Sequence, residues 1–251
     1  MKNVFKTALI AVLILIAFRI QCVAQSHYDT LKVLFVGNSY IYVGNLPHLV
    51  SIISDSCKTK LITRKSVSGG ASLSEHWNGM RGLKTKELIC NGNFDIVVLQ
   101  DQSMAAVNQP DSLRKYVRLF CDYIRDNNAR PFLYLTWARE KTPEQQEIIS
   151  KVYREAAAEN NATVVPVGEA WAIAREMNPN YQLYFRDGSH PSTEGTILTA
   201  CVFVAVILNE IPDLLPNYYI IADSVGESVW LAGSDNDFLN LCKEVARKFI
   251  R

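Results

Sequence analysis

The chain has 251 residues, 49% of them apolar and 20% charged, with a formal net charge of +1. That length and balance suit one compact α/β domain. No basic run stands out, which argues against a nucleic-acid partner.

At the start, Lys2 and Lys6 precede an apolar run over 8–18, and the polar pair Gln25-Ser26 follows Ala24. A basic opening, a short apolar core and small residues near the exit describe a secretory signal peptide over 1–24. The run is shorter than the roughly 20 apolar residues of a membrane span, so no stable span is expected after cleavage. Two alternatives stay open: a lipoprotein signal ending at Cys22, for which Gln21 is a poor small-residue stand-in, and an uncleaved anchor. Cleavage removes Lys2, Lys6 and Arg19 and no acid, leaving 23 basic and 25 acidic residues in a single domain over 25–251. The expected location is periplasmic or secreted, or lipid-anchored at the outer membrane if Cys22 is modified. Five cysteines remain after cleavage (Cys57, Cys90, Cys121, Cys201 and Cys242), an odd number at irregular spacings. In a chain large enough to hold itself together this reads as buried thiols, with a Cys57–Cys90 bridge left open.

Five short β-branched runs then recur with helical stretches between them: 31–37 (LKVLFVG), 61–68 (LITRKSVS), 95–100 (DIVVLQ), 131–137 (PFLYLTW) and 163–168 (TVVPVG). The first, third and fourth are nearly continuous apolar runs, as expected of parallel strands covered on both faces. Leu113, Tyr116, Val117, Phe120, Tyr123 and Ile124 keep the i, i+3, i+4 stripe of an amphipathic helix. Pro143 opens another helix running to about Asn160. Residues 197–208 are apolar all round and predict a helix buried within the domain; Phe238, Leu241, Cys242, Val245 and Phe249 form a last stripe. Strand–helix alternation throughout predicts a doubly wound parallel sheet, with ligands beyond the carboxyl ends of its strands.

The first strand exits into Gly37-Asn38-Ser39-Tyr40. A serine at a strand-to-helix turn can present its hydroxyl where helix N–H groups favour a developing negative charge, or it can simply cap the helix. Near the other end stands Asp187-Gly188-Ser189-His190-Pro191. A carboxylate three residues before a histidine, in a loop held by Gly and Pro, can bring both side chains to one place, with His190 as proton acceptor and Asp187 fixing its ring. The same pattern also fits a surface loop with a capping Asp. Gly69, after the second strand, can let a backbone N–H approach a ligand closely. Gln100 and Gln102, after the third, carry amides able to donate to an oxyanion. His76 and Trp77 follow the Gly69 turn, and Trp137 and Arg139 leave the fourth strand at the same edge. All four are candidates for substrate contact, the tryptophans as stacking surfaces for a sugar or, equally, as packing residues.

Other chemistries on similar sheets find no support. Ile41 stands where a G-x-S-x-G motif around Ser39 would need its last glycine. There is no G-x-G-x-x-G and no P-loop for a nucleotide phosphate. Four histidines (27, 48, 76 and 190) with no H-x-x-x-H or C-x-x-C pair make a metal site unexpected.

Taken together, these blocks resemble the SGNH/GDSL hydrolases over about 31–208. GNS at 37–39 resembles that family's GDS nucleophile block, with Asn38 where Asp is usual. SVSGGAS at 66–72 is similar to its second block and DGSHP at 187–191 matches its last. The third block departs from the family's Gly-x-Asn-Asp, reading Gln100-Asp101-Gln102-Ser103. The resemblance implies a three-layer, flavodoxin-like fold with a five-stranded parallel sheet, and a Ser39–His190–Asp187 triad acting through an acyl-enzyme. It further implies an oxyanion hole from the N–H groups of Ser39 and Gly69 and the amide of Gln102, with Gln100 as second choice. No cofactor is required. The expected substrate is a short-chain ester, acetyl above all, of a small molecule or polysaccharide. A lipid acylhydrolase or acyltransferase and a non-catalytic carbohydrate-binding protein are the alternatives.

Overall fold

The structure, a computed structural model, describes residues 29–251; the expected signal peptide over 1–24 and Cys22 lie outside the described residues. Five strands, β1 (Asp29–Gly37), β2 (Thr59–Val67), β3 (Ile96–Leu99), β4 (Arg130–Tyr134) and β5 (Thr163–Val165), form one sheet in the order β2-β1-β3-β4-β5. Every neighbouring pair is parallel. Between them and after them lie α1 (Ser39–Tyr42), α2 (Leu46–Ser54), α3 (Leu73–Trp77), α4 (Thr85–Gly92), α5 (Ala105–Asn108), α6 (Pro110–Asp126), α7 (Gln146–Glu159), α8 (Val167–Met177) and α9 (Thr193–Leu208).

Alternation along the central strands divides the core in two. Val33, Phe35, Ile96, Val98, Phe132 and Tyr134 face α2, α8 and α9, while Leu34, Val36, Val97, Leu99 and Leu133 face α4, α6 and α7. Both faces are covered, which is why these strands read as unbroken apolar runs. The helix α9 is buried on every side from Gly195 to Ala205. Phe203 on it meets the rings of Phe35 and Tyr134 edge-on, at 5.1 and 4.9 Å between centroids. This is the doubly wound α/β sheet expected, and its strand order puts the topological switch point between β1 and β3.

Two strands end sooner than their apolar runs. β4 stops at Tyr134, and β5 at Val165, because Pro166 has no N–H to extend the ladder and Val167 already opens α8. Beyond α9 the chain adds an antiparallel hairpin that the apolar runs did not predict, β6 (Tyr218–Ala222) with β7 (Ser228–Gly233). A last helix, α10 (Asn236–Arg247), then packs on α8 and α9. The five cysteines are free thiols, with Cys57 buried and Cys90 exposed, so the Cys57–Cys90 bridge is not formed. Among the described residues no helix is long and apolar enough to cross a membrane.

Candidate active site

β1 delivers the chain to its exit through Gly37. A Cβ there would lie 2.3 Å from Gln100 Oε1 and 2.7 Å from Ile41 Cδ1, so only glycine fits. Asn38, 2% exposed, caps α1 by accepting from Tyr40 N at 3.2 Å through Oδ1. Its Nδ2 donates to two carbonyls, Ala71 O at 3.0 Å after β2 and Asp101 O at 3.2 Å after β3. Its backbone N donates to Gln100 Oε1 at 3.0 Å. One side chain thus ties together the exits of three strands and leaves the next residue, Ser39, at the first turn of α1, partly exposed.

The second partner arrives from the loop between α8 and α9. Asp187 Oδ1 accepts the N–H groups of Ser189 and His190, both at 3.0 Å, which closes a tight turn. Gly188 takes φ +65° within it. The other oxygen, Oδ2, lies 2.5 Å from His190 Nδ1, and His190 Nε2 lies 2.9 Å from Ser39 Oγ. The three-residue spacing is therefore what lets one carboxylate both fold the turn and hold the ring. Burial pushes the Asp187 pKa up, but the hydrogen bonds from the His190 ring and from the Ser189 and His190 N–H groups outweigh it and bring the value down to about 2. As a carboxylate it only accepts, so the ring proton sits on Nδ1 and Nε2 is left to accept from the serine hydroxyl. A serine, an imidazole and a carboxylate so linked can transfer the hydroxyl proton to the ring as the oxygen attacks.

The second and third exits are braced from outside. Ala71 N closes the 68–71 turn on Ser68 O at 3.1 Å, and Arg81 reaches across from a loop to donate to Gly69 O at 2.7 Å while pairing with Glu75 at 2.8 Å. Glu75 and Ser72 form a capping box at the start of α3. Asp101, 3% exposed, accepts from Leu73 N at 2.9 Å and Gln102 N at 2.7 Å, which fixes β3's exit to α3. Gln102 is partly exposed; its Oε1 accepts from Met104 N at 2.8 Å and its Nε2 reaches Ser103 Oγ at 3.3 Å.

Four of the residues expected near substrate or oxyanion have other work. Gln100 is wholly buried, its Oε1 holding Asn38 N and its Nε2 donating to Asp101 O, so it has no amide to offer an oxyanion. His76 is 1% exposed and bonded at both nitrogens, to Thr85 Oγ1 at 2.7 Å and Gly37 O at 2.8 Å; it does not line the cleft. Because Gly37 O only accepts, Nε2 carries the proton and Nδ1 accepts from the Thr85 hydroxyl, which in turn accepts from Ser66 Oγ at 2.8 Å. Trp77 packs edge-on against Phe120 and Tyr123. Trp137 is 2% exposed, stacked between Tyr40 and Trp171, and its Nε1 donates to Ser189 O at 2.9 Å. The sugar-stacking expectation for both tryptophans is therefore corrected: their faces are used by the protein itself. Arg139 alone of the group is exposed, close enough to act on the Tyr40 hydroxyl electrostatically. Sequence reasoning passed over Asn38's bridging role, Asp101 and Tyr40, which carry no motif beyond standing next to one.

A scan against protein-family models finds no match, and a search of the curated proteins finds none either. Among solved structures, a Slackia heliotrinireducens protein described as an SGNH hydrolase is 25% identical and superposes at a TM-score of 0.61, covering 71% of this chain and 100% of that one. A DUF4886 family protein from Bacteroides uniformis is 18% identical at a TM-score of 0.68, over 88% of this chain and 94% of its own. The acetyl xylan esterase AlAXEase is 18% identical at a TM-score of 0.55, over 70% and 99%. The fold is that of the SGNH/GDSL hydrolases. Two of these structures are covered almost whole by little over two thirds of this chain, so it carries elements beyond the shared core.

Asn38→Asp should destabilise the fold by about 3 kcal/mol, because a carboxylate would replace two donors and face two carbonyl oxygens away from water. Urea unfolding at neutral pH measures it; an unchanged midpoint would show that the bridging amide is not what joins the three exits. A second expectation concerns pH. Burial holds His76 below its ordinary pKa of 6.5, against the opposing pull of the Gly37 carbonyl and Glu75. Below about pH 6.5 the unfolded chain takes up a proton that the folded chain refuses, so stability falls as pH drops toward the lowered folded value. His76→Gln should flatten that fall between about pH 7 and pH 5 in paired urea titrations; equal slopes would contradict a neutral buried ring.

Proposed function

We propose that the chain is an exported serine esterase that removes short acyl groups, acetyl above all, from a carbohydrate-like alcohol. The observation that carries the reading is the continuous path from Ser39 Oγ through His190 to Asp187, with 2.9 and 2.5 Å steps. The hydrolase and esterase neighbours are in accord with it. His190 takes the proton of Ser39 as Oγ attacks the ester carbonyl, while Asp187 keeps the imidazole in the right tautomer and stabilises its charge. The oxyanion is held by the N–H groups of Ser39 and Gly69 and by the Gln102 amide. The alkoxide leaves with the proton from His190, and water activated by the same ring releases the acid and frees Ser39.

For acyl length, the support is the economy of the site. β1 passes into α1 across Asn38 alone, β2 into α3 over 68–72, and β3 into α5 over 100–104. These three exits are too short to hold a lid or an acyl tunnel. For the alcohol, the support is narrower now that Trp77 and Trp137 are packed away. It comes from Arg139 as an exposed donor beside the triad and from the shared fold with an acetyl xylan esterase. Export rests on the character of residues 1–24 alone.

Ser39→Ala should abolish both ester hydrolysis and labelling by a fluorophosphonate probe while the protein stays folded, since Asn38 and not Ser39 caps α1; unchanged turnover would overturn the reading. Gln102→Ala should lower kcat by roughly 10²–10³-fold, the usual loss for one oxyanion donor, and steady-state kinetics on p-nitrophenyl acetate reads it directly. Across p-nitrophenyl esters of rising chain length the optimum should fall at acetyl, with acetate released from acetylated polysaccharide. An optimum at octanoyl or beyond, with no acetate from any glycan, would instead mark a lipid acylhydrolase.

A further inference from the structure

Resting on that esterase reading, the geometry next to the triad assigns a role to a residue no motif includes. Ser39 and His190 come from loops far apart in the chain, and the hydrogen bond that joins them directly is the one whose proton must move in every turnover. A link that stays unchanged through the reaction is needed to keep the pair aligned, since misplacement by about 1 Å can cost about 10²-fold in rate. Tyr40 supplies one. It follows Ser39 directly, is 3% exposed, and sets its hydroxyl 2.8 Å from Ser189 Oγ, on the residue before His190. The Tyr40 ring stacks on Trp137 at 4.7 Å and 12°, and meets the His190 ring edge-on at 5.6 Å. Trp137 in turn donates to Ser189 O at 2.9 Å and lies flat on Trp171 at 3.8 Å and 2°. Ser189 is therefore gripped at both its side-chain and its main-chain oxygen by one aromatic stack rooted in the core.

We propose that Tyr40 is a positioning residue: its hydroxyl holds the acid–base loop through Ser189 in register with the nucleophile beside it. Burial raises the Tyr40 pKa against the pull of Ser189, Ser103 and Arg139, so the hydroxyl keeps its proton and can go on donating at neutral pH. The arrangement acts on the alignment of groups and not on substrate affinity, which gives it a kinetic signature.

The test is a double-mutant cycle on the purified protein with p-nitrophenyl acetate. Tyr40→Phe keeps the ring, its stack and its edge contact with His190, and removes only the hydroxyl; Ser189→Ala removes the partner and leaves the aromatic stack intact. Each should lower kcat by roughly 10-fold with KM changed by less than about twofold, and the fluorophosphonate labelling rate of Ser39 should fall in parallel. The double variant should be no slower than the slower single, because both remove the same link. Tryptophan fluorescence and the melting midpoint report whether the stack and fold persist; if Tyr40→Phe fails to fold, Ser189→Ala decides alone by the same kcat and labelling readouts. Unchanged kcat in a folded variant, an effect confined to KM, or losses that multiply in the double variant would overturn the proposal. A wild-type protein that the probe does not label overturns the esterase reading and this inference with it, whereas a labelled wild type indifferent to both changes overturns the inference alone.

Discussion

Everything at the carboxyl end of the sheet hangs on the side-chain amide of Asn38. A parallel sheet delivers its strand ends to one edge, but nothing in the ladder fixes how the loops beyond that edge sit against one another. Here one buried amide spends both its N–H groups on carbonyls of the two neighbouring exits, Ala71 and Asp101, and its oxygen on the first turn of α1. An aspartate, usual at this place in the family the chain resembles, can accept but cannot donate, and would set a charge against two carbonyl oxygens. The departure from GDS to GNS is thus a consequence of what the neighbouring exits offer, two acceptors needing donors. The same amide fixes the turn from which Ser39 projects.

The third exit follows from the same constraint. Gln100 sits under Gly37, where no Cβ fits, and accepts the Asn38 N–H; Asp101 turns its carboxylate to the start of α3. Two of the four polar residues after β3 are thereby consumed as scaffold, although a sequence shows them only as amide and acid side chains in a loop. That leaves Gln102 as the side chain for the proposed oxyanion role, although it is partly committed to its own turn through Met104 N. His76 extends the scaffold from the opposite side, its neutral ring bridging Thr85 and the carbonyl of Gly37. A histidine beside a candidate cleft is legible as a chemical group, yet which way it faces depends on where α4 brings Thr85, and spacing does not carry that.

How much could be read in advance divides along the same line. Three of the five strands were legible because burial on both faces leaves a nearly continuous apolar run, the parallel sheet because strands and helices alternate, and the meeting of Ser39 with Asp187 and His190 because Asp-x-x-His is a local turn that folds on its own hydrogen bonds. Strand ends were not, since Pro166 and the start of α8 cut β5 short where the run of apolar residues continues. The β6–β7 hairpin was missed for a related reason: only Tyr219 and Ala232 along it are buried, and Tyr218, Ile220 and Trp230 are exposed, so its composition does not separate in from out. Trp77 and Trp137 were open to two readings, and the core claimed both. Aromatic residues near a strand exit lie where the sheet still needs covering, and the covering came first.

This changes what the site can be. With Trp137 buried and Trp77 packed against Phe120, the surface around Ser39 offers a partly exposed serine and imidazole, exposed glycines at 69 and 70, and Arg139. Under the proposed esterase reading, selectivity in such a site would come from hydrogen bonds around the proposed oxyanion donors. That favours an acyl group with little surface of its own. Rate, on the same reading, would draw on alignment, because a site with partly exposed groups gives less electrostatic help than a closed one. The density of buried polar links behind the triad, from Asn38 and Gln100 to Tyr40 and Ser189, is the physical counterpart of that openness: rigidity is built into the layer beneath the reacting groups, where water does not compete for the bonds.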